Sequence, residues 1–143
     1  MNLEFIALAN AWSRPLHGVP ILLKDNIVSL EGFSATSGSY LLLGTRSPRE
    51  SPVVIRLKKA GAVILGSANL SEWTNFRTGS PNWGWSPRGG QTYGAYFDMM
   101  GPSGSSSGSA VATDVGLCVV AIGTEVSVEC REGYNPFCGV GTS

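Results

Sequence analysis

The chain alternates between short apolar runs and long stretches rich in glycine, serine and polar residues, and each run predicts one short element. Residues 3–12 read as the tail of a helix whose start is not in view. Pro15-Leu16-His17-Gly18-Val19-Pro20 reads as a turn leading into Ile21-Leu22-Leu23, a short strand that ends at Lys24-Asp25-Asn26. Residues 31–39 (EGFSATSGS) carry loop chemistry. Ser51-Pro52 is a helix start, with serine at the N-cap and proline at the first helical position. Val54, Leu57 or Lys58, and Gly61 then fall about one turn apart, and Gly61 is placed to end that helix. Ala62-Val63-Ile64-Leu65-Gly66 follows at once as a buried strand. A helix and a strand in so few residues make half of a parallel βαβ unit.

The second half is less regular. Residues 77–101 are rich in Gly, Pro, Trp and Tyr, and Trp83, Trp85, Tyr93, Tyr96 and Phe97 could give such a loop its own packing. Residues 101–109 are almost entirely Gly and Ser. Ala110 to Gly116 then reads as a short helix with a glycine stop, and Leu117 to Ile122 as a strand too apolar to be half-exposed. A Gly/Ser loop entering a helix N-terminus, followed by a buried strand, is a site architecture. Its exposed amides suit developing negative charge. The fold class is α/β.

Composition sharpens this. The chain has 143 residues, the size of one domain. Gly, Pro and Ser number 19, 8 and 18, a share at which low-complexity chains begin. Against disorder stand 43% hydrophobic residues, 14% charged residues and zero net charge. Ten basic and ten acidic residues with no basic run speak against nucleic acid or an anionic membrane surface as partner. The apolar runs are far shorter than the roughly 20 residues of a membrane span. Cys118, Cys130 and Cys138 contain no C-x-x-C, and His17 is far away in sequence, so no zinc site is expected. An odd cysteine count, and Glu4 where a signal peptide wants positive charge, point to an intracellular (cytoplasmic) protein rather than a secreted one.

The chemistry can be narrowed by elimination. No G-K-[ST] ends the Gly/Ser run, so it is not a phosphate loop. No G-x-G-x-x-G spacing exists. Gly104-Ser105-Ser106-Ser107-Gly108 matches G-x-S-x-G loosely, but the only histidine precedes it, whereas in α/β-hydrolases the histidine comes last. A serine nucleophile can instead use a neutral lysine as base. Lysine's reference pKa of about 10.4 must then be lowered by burial. Lys24, after three apolar residues at a strand end, is a candidate, against the plainer reading of a strand-end lysine pointing to water.

Three segments in order resemble one family, the amidase signature enzymes. Leu16 to Asn26 is similar to the family's G-[IV]-P-x-x-x-K-D block. Ala60 to Gly66 through Asn69-Leu70-Ser71-Glu72-Trp73 is similar to the second block. Ser103 to Ser109, followed by Gly123-Thr124-Glu125, resembles G-G-S-S-G-G-S followed by G-T-[DE]. The wording of Gly89 to Tyr93 resembles the fungal and plant branch. The resemblance implies a mixed β-sheet flanked by helices, and amide hydrolysis through a Ser–cis-Ser–Lys triad and an acyl-enzyme. It implies no metal and no cofactor. Lys24 falls on the general base and Ser105 on the bridging cis-serine. Asp25 and Ser106 fall on supporting positions.

The nucleophile position departs from the pattern. Counting forward from Gly123-Thr124-Glu125 without a gap puts Glu129 there. Counting back from Gly139-Val140-Gly141-Thr142-Ser143, which resembles G-[IVL]-K-P-T, puts Ser127 there after a two-residue deletion. Ser127-Val128-Glu129-Cys130 also resembles the S-[IV]-x-C of fungal members, which favours Ser127. Glu125 and Val126 would then supply the oxyanion-hole amides. Loss of one such donor typically costs a factor of about a hundred to a thousand in rate. Valine also resists the positive φ that a glycine would adopt there.

The expected organisation is a single partial amidase domain over residues 1–143, lacking the C-terminal part of the fold. Its expected partner is a small-molecule amide, with oligomeric state open. Three alternatives remain: a catalytically inactive truncated fragment, a glutaminase subunit of an amidotransferase, and a non-enzymatic Gly/Ser-loop binding module.

Overall fold

The computed structural model describes residues 14–76 and 83–124. The predicted helix over 3–12 therefore lies outside the described residues, as do Glu125, Val126, Ser127 and Glu129.

Strand β1 (Pro20–Lys24) is the centre of a three-stranded parallel sheet. It is flanked by β2 (Val63–Ala68) and β5 (Val120–Ile122), in the order β2-β1-β5. Helix α1 (Pro52–Lys59) makes the crossover from β1 to β2. A two-stranded antiparallel ribbon, β3 (Trp85–Ser86) with β4 (Gly90–Gln91), follows the second strand in sequence. Helix α2 (Ser107–Asp114) leads into β5. Helices and both kinds of strand pairing thus fulfil the α/β expectation.

Side chains alternate across β1. Ile21 and Leu23 are buried with Ile27 and with Val54 of α1, and Leu57, Ala62, Ile64 and Ile122 pack around them. The interposed positions, Leu22 and Lys24, belong to the opposite face of the sheet. Lys24 is itself wholly buried. The ladders run Lys24 opposite Ala68 and Leu23 opposite Ile122, so Gly123 and Thr124 leave β5 alongside the end of β1. The pairing with β2 slips by one residue between Ile21 and Leu22, where Leu65 is the extra residue.

The helix start at Ser51-Pro52 is as expected, although the Ser51 side chain makes no capping hydrogen bond. Arg56, Lys58 and Lys59 in the last turn of α1 complement the helix dipole. Gly61, with φ of 96°, follows its C-cap. Three expectations are corrected. β2 is not buried on both sides: Val63 and Leu65 are about half exposed, so only alternate residues face the core. β5 is shorter than the apolar run and half-exposed, with Leu117 and Val119 both on the surface. An apolar run tells that a strand can be covered, not that it is. Finally, α2 begins at Ser107, inside the Gly/Ser run, rather than at Ala110.

Candidate active site

The site forms where parallel sheets habitually place one, beyond the carboxyl ends of the strands. Lys24 is the last residue of β1, and its ammonium stem crosses to the loop before α2. Its Nζ lies 2.7 Å from Ser105 Oγ, and both residues are buried. Nζ also donates to Thr124, at 2.8 Å from Oγ1 and 3.3 Å from the carbonyl oxygen. The Gly104–Ser105 peptide is cis. Lys24 and Ser105, 81 residues apart in sequence, are thus in direct contact.

Ser106 occupies the N-cap of α2, where a serine hydroxyl would ordinarily bond an amide of the first turn. Its hydroxyl is engaged elsewhere, donating to the Thr124 carbonyl at 3.1 Å and accepting from the Thr124 amide at 3.2 Å. This pair of bonds fastens the serine loop to the residues that leave β5. Ser107 Oγ bonds back to the Ser103 carbonyl and completes the turn.

Asp25 turns away from the Lys24–Ser105 contact. One carboxylate oxygen accepts from Thr36 Oγ1 and from the Gly38 amide at 2.9 Å. The other accepts from Arg88 at 2.9 Å. Asp25 is thereby a tie that secures loop 34–38 and the ribbon to the end of β1. Arg88 reaches Thr36 Oγ1 and the Ser34 carbonyl as well.

Sequence reasoning assigned no role to Asn69, Ser71, Arg88, Asn26 or Thr124, which hold this site together. Asn69 Oδ1 accepts from Ser86, and its Nδ2 spans the Gly84 and Gly90 carbonyls and Thr92 Oγ1. The Asn69 carbonyl accepts from the Gly108 amide, and the wholly buried Ser71 donates its amide to the Ser105 carbonyl at 3.0 Å. Residues 69–71 therefore bind the ribbon on one side and the serine loop on the other. The approach is close enough to exclude side chains. A Cβ on Gly108 would sit 2.5 Å from the Asn69 carbonyl oxygen, and one on Gly104 would sit 2.7 Å from Ser71 Oγ. Directly beyond, Trp73, Thr74 and Asn75 take left-handed φ values of 48°, 54° and 65°, each a conformation that costs roughly 1–2 kcal/mol for a residue with a Cβ.

Among the described residues, no group of three or more His, Cys, Asp or Glu could hold a metal ion, and no helix is long and apolar enough to cross a membrane. Cys118 is a buried free thiol.

The architecture is an α/β fold with a buried lysine–serine contact at the ends of parallel strands. Residues 6–128 match the Amidase family, and the chain belongs to it. A peptide amidase from Stenotrophomonas maltophilia is 54% identical, with a TM-score of 0.74 over 78% of this chain and 22% of its own. A protein of Arabidopsis thaliana named "Probable amidase" is 51% identical over 110 residues, 77% of this chain and 22% of its own. A glutamyl-tRNA(Gln) amidotransferase component from Symbiobacterium thermophilum is 42% identical over 118 residues, 82% of this chain and 23% of its own. The chain spans about a fifth of the length of the curated amidases it matches.

Proposed function

We propose that the chain, as a single partial amidase domain, carries the proton-relay half of an amide-hydrolysing site. Lys24 is the general base, cis-Ser105 the bridge and Ser127 the nucleophile. The observation that supports this reading is the 2.7 Å contact between Lys24 Nζ and Ser105 Oγ in a buried setting. Burial suits a base, because removing an ammonium from water disfavours its charged form. In the forward step Ser127 Oγ attacks the carboxamide carbon. Its proton passes to Ser105 as the Ser105 proton passes to Lys24. Collapse of the tetrahedral intermediate breaks the C–N bond, and the relay returns the proton to the departing amine. Water then attacks the acyl-enzyme by the same relay, releasing a carboxylic acid and restoring Ser127. The substrate is a small carboxamide, and no metal or cofactor takes part. Glutamine's side-chain amide belongs to the same class, so a glutaminase role within an amidotransferase uses the same steps.

A second reading has its own support. The stretch from Glu125 to Ser127 is two residues shorter than the family pattern, and Val126 stands where a glycine-bearing turn is expected. An oxyanion hole short of one donor lowers the rate by a factor of about a hundred to a thousand, which favours an inactive derivative. Ammonia release from simple carboxamides distinguishes the two. Release by the chain that disappears in Ser127→Ala supports the first reading. A folded chain that releases none supports the second.

A further inference from the structure

We propose that Asn26 is a positioning residue for Lys24, acting through the hydroxyl of Thr124. The geometry stands independently, while its catalytic meaning rests on the function proposed above. Asn26 lies in the tight turn that ends β1, where the Ile27 amide bonds back to the Lys24 carbonyl at 2.8 Å. The turn folds the Asn26 side chain toward the residues leaving β5. There its Nδ2 donates to Thr124 Oγ1 at 3.1 Å. The same oxygen takes an N–H from Lys24 at 2.8 Å.

Threonine is β-branched, so one rotamer presents Oγ1 to Lys24 and another presents the methyl group. The hydrogen bond from Asn26 selects the first. With Oγ1 in place, the Lys24 amine is held between Thr124 and Ser105, aimed at the bridging serine. With the methyl in place, Lys24 would lose that oxygen as an acceptor inside a buried site.

A second observation indicates that Asn26 serves this bond rather than general stability. Its other polar atom, Oδ1, is buried and has no hydrogen-bond partner among the described residues. A buried acceptor left unpaired is unfavourable to the folded state. An apolar side chain of the same shape would avoid that cost, but could not hold Thr124.

The test reads Lys24 directly. The full chain is labelled with ¹³C,¹⁵N-lysine, and the Lys24 side-chain resonance is assigned by its loss in Lys24→Arg. Asn26→Leu is expected to displace that resonance, Thr124→Val to displace it further in the same direction, and Thr124→Ser to restore it. In the double variant, Asn26→Leu adds nothing to Thr124→Val. If Asn26→Leu fails to give a dispersed amide spectrum, the smaller Asn26→Ser carries the same expectation. An unmoved Lys24 resonance in a folded Asn26 variant, or additive displacements in the double variant, overturns the proposal. In parallel, labelling by a fluorophosphonate is expected to slow about tenfold in Asn26→Leu. Loss of all labelling with the resonance coupling intact would count against the Ser127 chemistry alone. Normal labelling with an uncoupled resonance would count against Asn26 alone.

Discussion

Gly108→Ala is the perturbation whose consequence is most directly worked from the packing. Gly108 is the second residue of α2, and its amide bonds the Asn69 carbonyl at 2.9 Å. An added Cβ would lie 2.5 Å from that carbonyl oxygen and 2.6 Å from the Asn69 nitrogen, both backbone atoms that no rotamer change can move. Relief requires the start of α2 to withdraw from residues 69–71. That withdrawal also stretches the Ser71 bond to the Ser105 carbonyl. Overpacking of this kind typically costs about 1–3 kcal/mol, and two weakened hydrogen bonds add about 1 kcal/mol each at most. Better helix propensity returns up to about 1 kcal/mol. The net expectation is a loss of about 2 kcal/mol, which for a chain of this size lowers Tm by roughly 5–8 °C. Gly101→Ala, where a Cβ meets nothing within 4 Å, is the control and should change stability by less than about 1 kcal/mol. Thermal and urea unfolding of the three chains provide the assay. A Gly108→Ala chain as stable as the wild type would refute the claim that residues 69–71 and the serine loop are in enforced contact.

Three further outcomes follow from particular contacts. Arg88→Ala strands one oxygen of the buried Asp25 carboxylate, and should destabilise by about 1–3 kcal/mol, less than a fully buried pair because the Arg88 side chain is one-third exposed; urea titration checks this, with Arg88→Lys recovering part of the loss. Ser106→Ala removes both bonds to the Thr124 backbone and should cost about 1–2 kcal/mol and expose the Thr124 amide to hydrogen exchange. The Glu50 carboxyl is held below its usual range, chiefly by the Leu30 amide and then by Lys58. Because the folded state lowers that pKa, the stabilisation is present above the ordinary carboxylate range and is lost as pH falls through the folded value. The fall in Tm between pH 6 and pH 3 should therefore be shallower in Glu50→Gln, and a parallel curve would contradict the assignment.

The legible part of the site was the part written as a local motif. Lys24 stood at the end of an apolar triplet, and Ser105 and Ser106 lay in a serine run before a helix. Lys24 was identifiable from its place at the strand end, whereas the roles of Ser105 and Ser106 came from the resemblance to the amidase signature family. The side chains of Arg88, Asn69 and Thr124 act through partners 52 to 63, 15 to 23, and 98 to 100 residues away, and nothing in their neighbours announces that pairing. Asp25 falls on a supporting position by resemblance alone, and the partners of its carboxylate, Thr36, Gly38 and Arg88, lie 11, 13 and 63 residues away. The fold was legible to a similar depth. Ser51-Pro52 and Gly61 bracket α1 because capping preferences are local. The early start of α2 was not, since Ser107, Gly108 and Ser109 are poor helix formers and the Gly108 bond to Asn69 is tertiary. The exposed sides of β2 and β5 escaped a reading from composition because hydrophobicity records what a strand can bury, whereas its neighbours decide what it does bury.

Covalent trapping of the nucleophile tests the central claim most directly. The folded chain is treated with a fluorophosphonate probe beside Lys24→Ala, Ser105→Ala and Ser127→Ala, and the adduct is mapped by peptide mass spectrometry. The account predicts one adduct, on Ser127, absent in Ser127→Ala and slowed at least a hundredfold or so in Lys24→Ala and Ser105→Ala. Equal labelling of the wild type and Ser127→Ala, or labelling indifferent to Lys24, would contradict it.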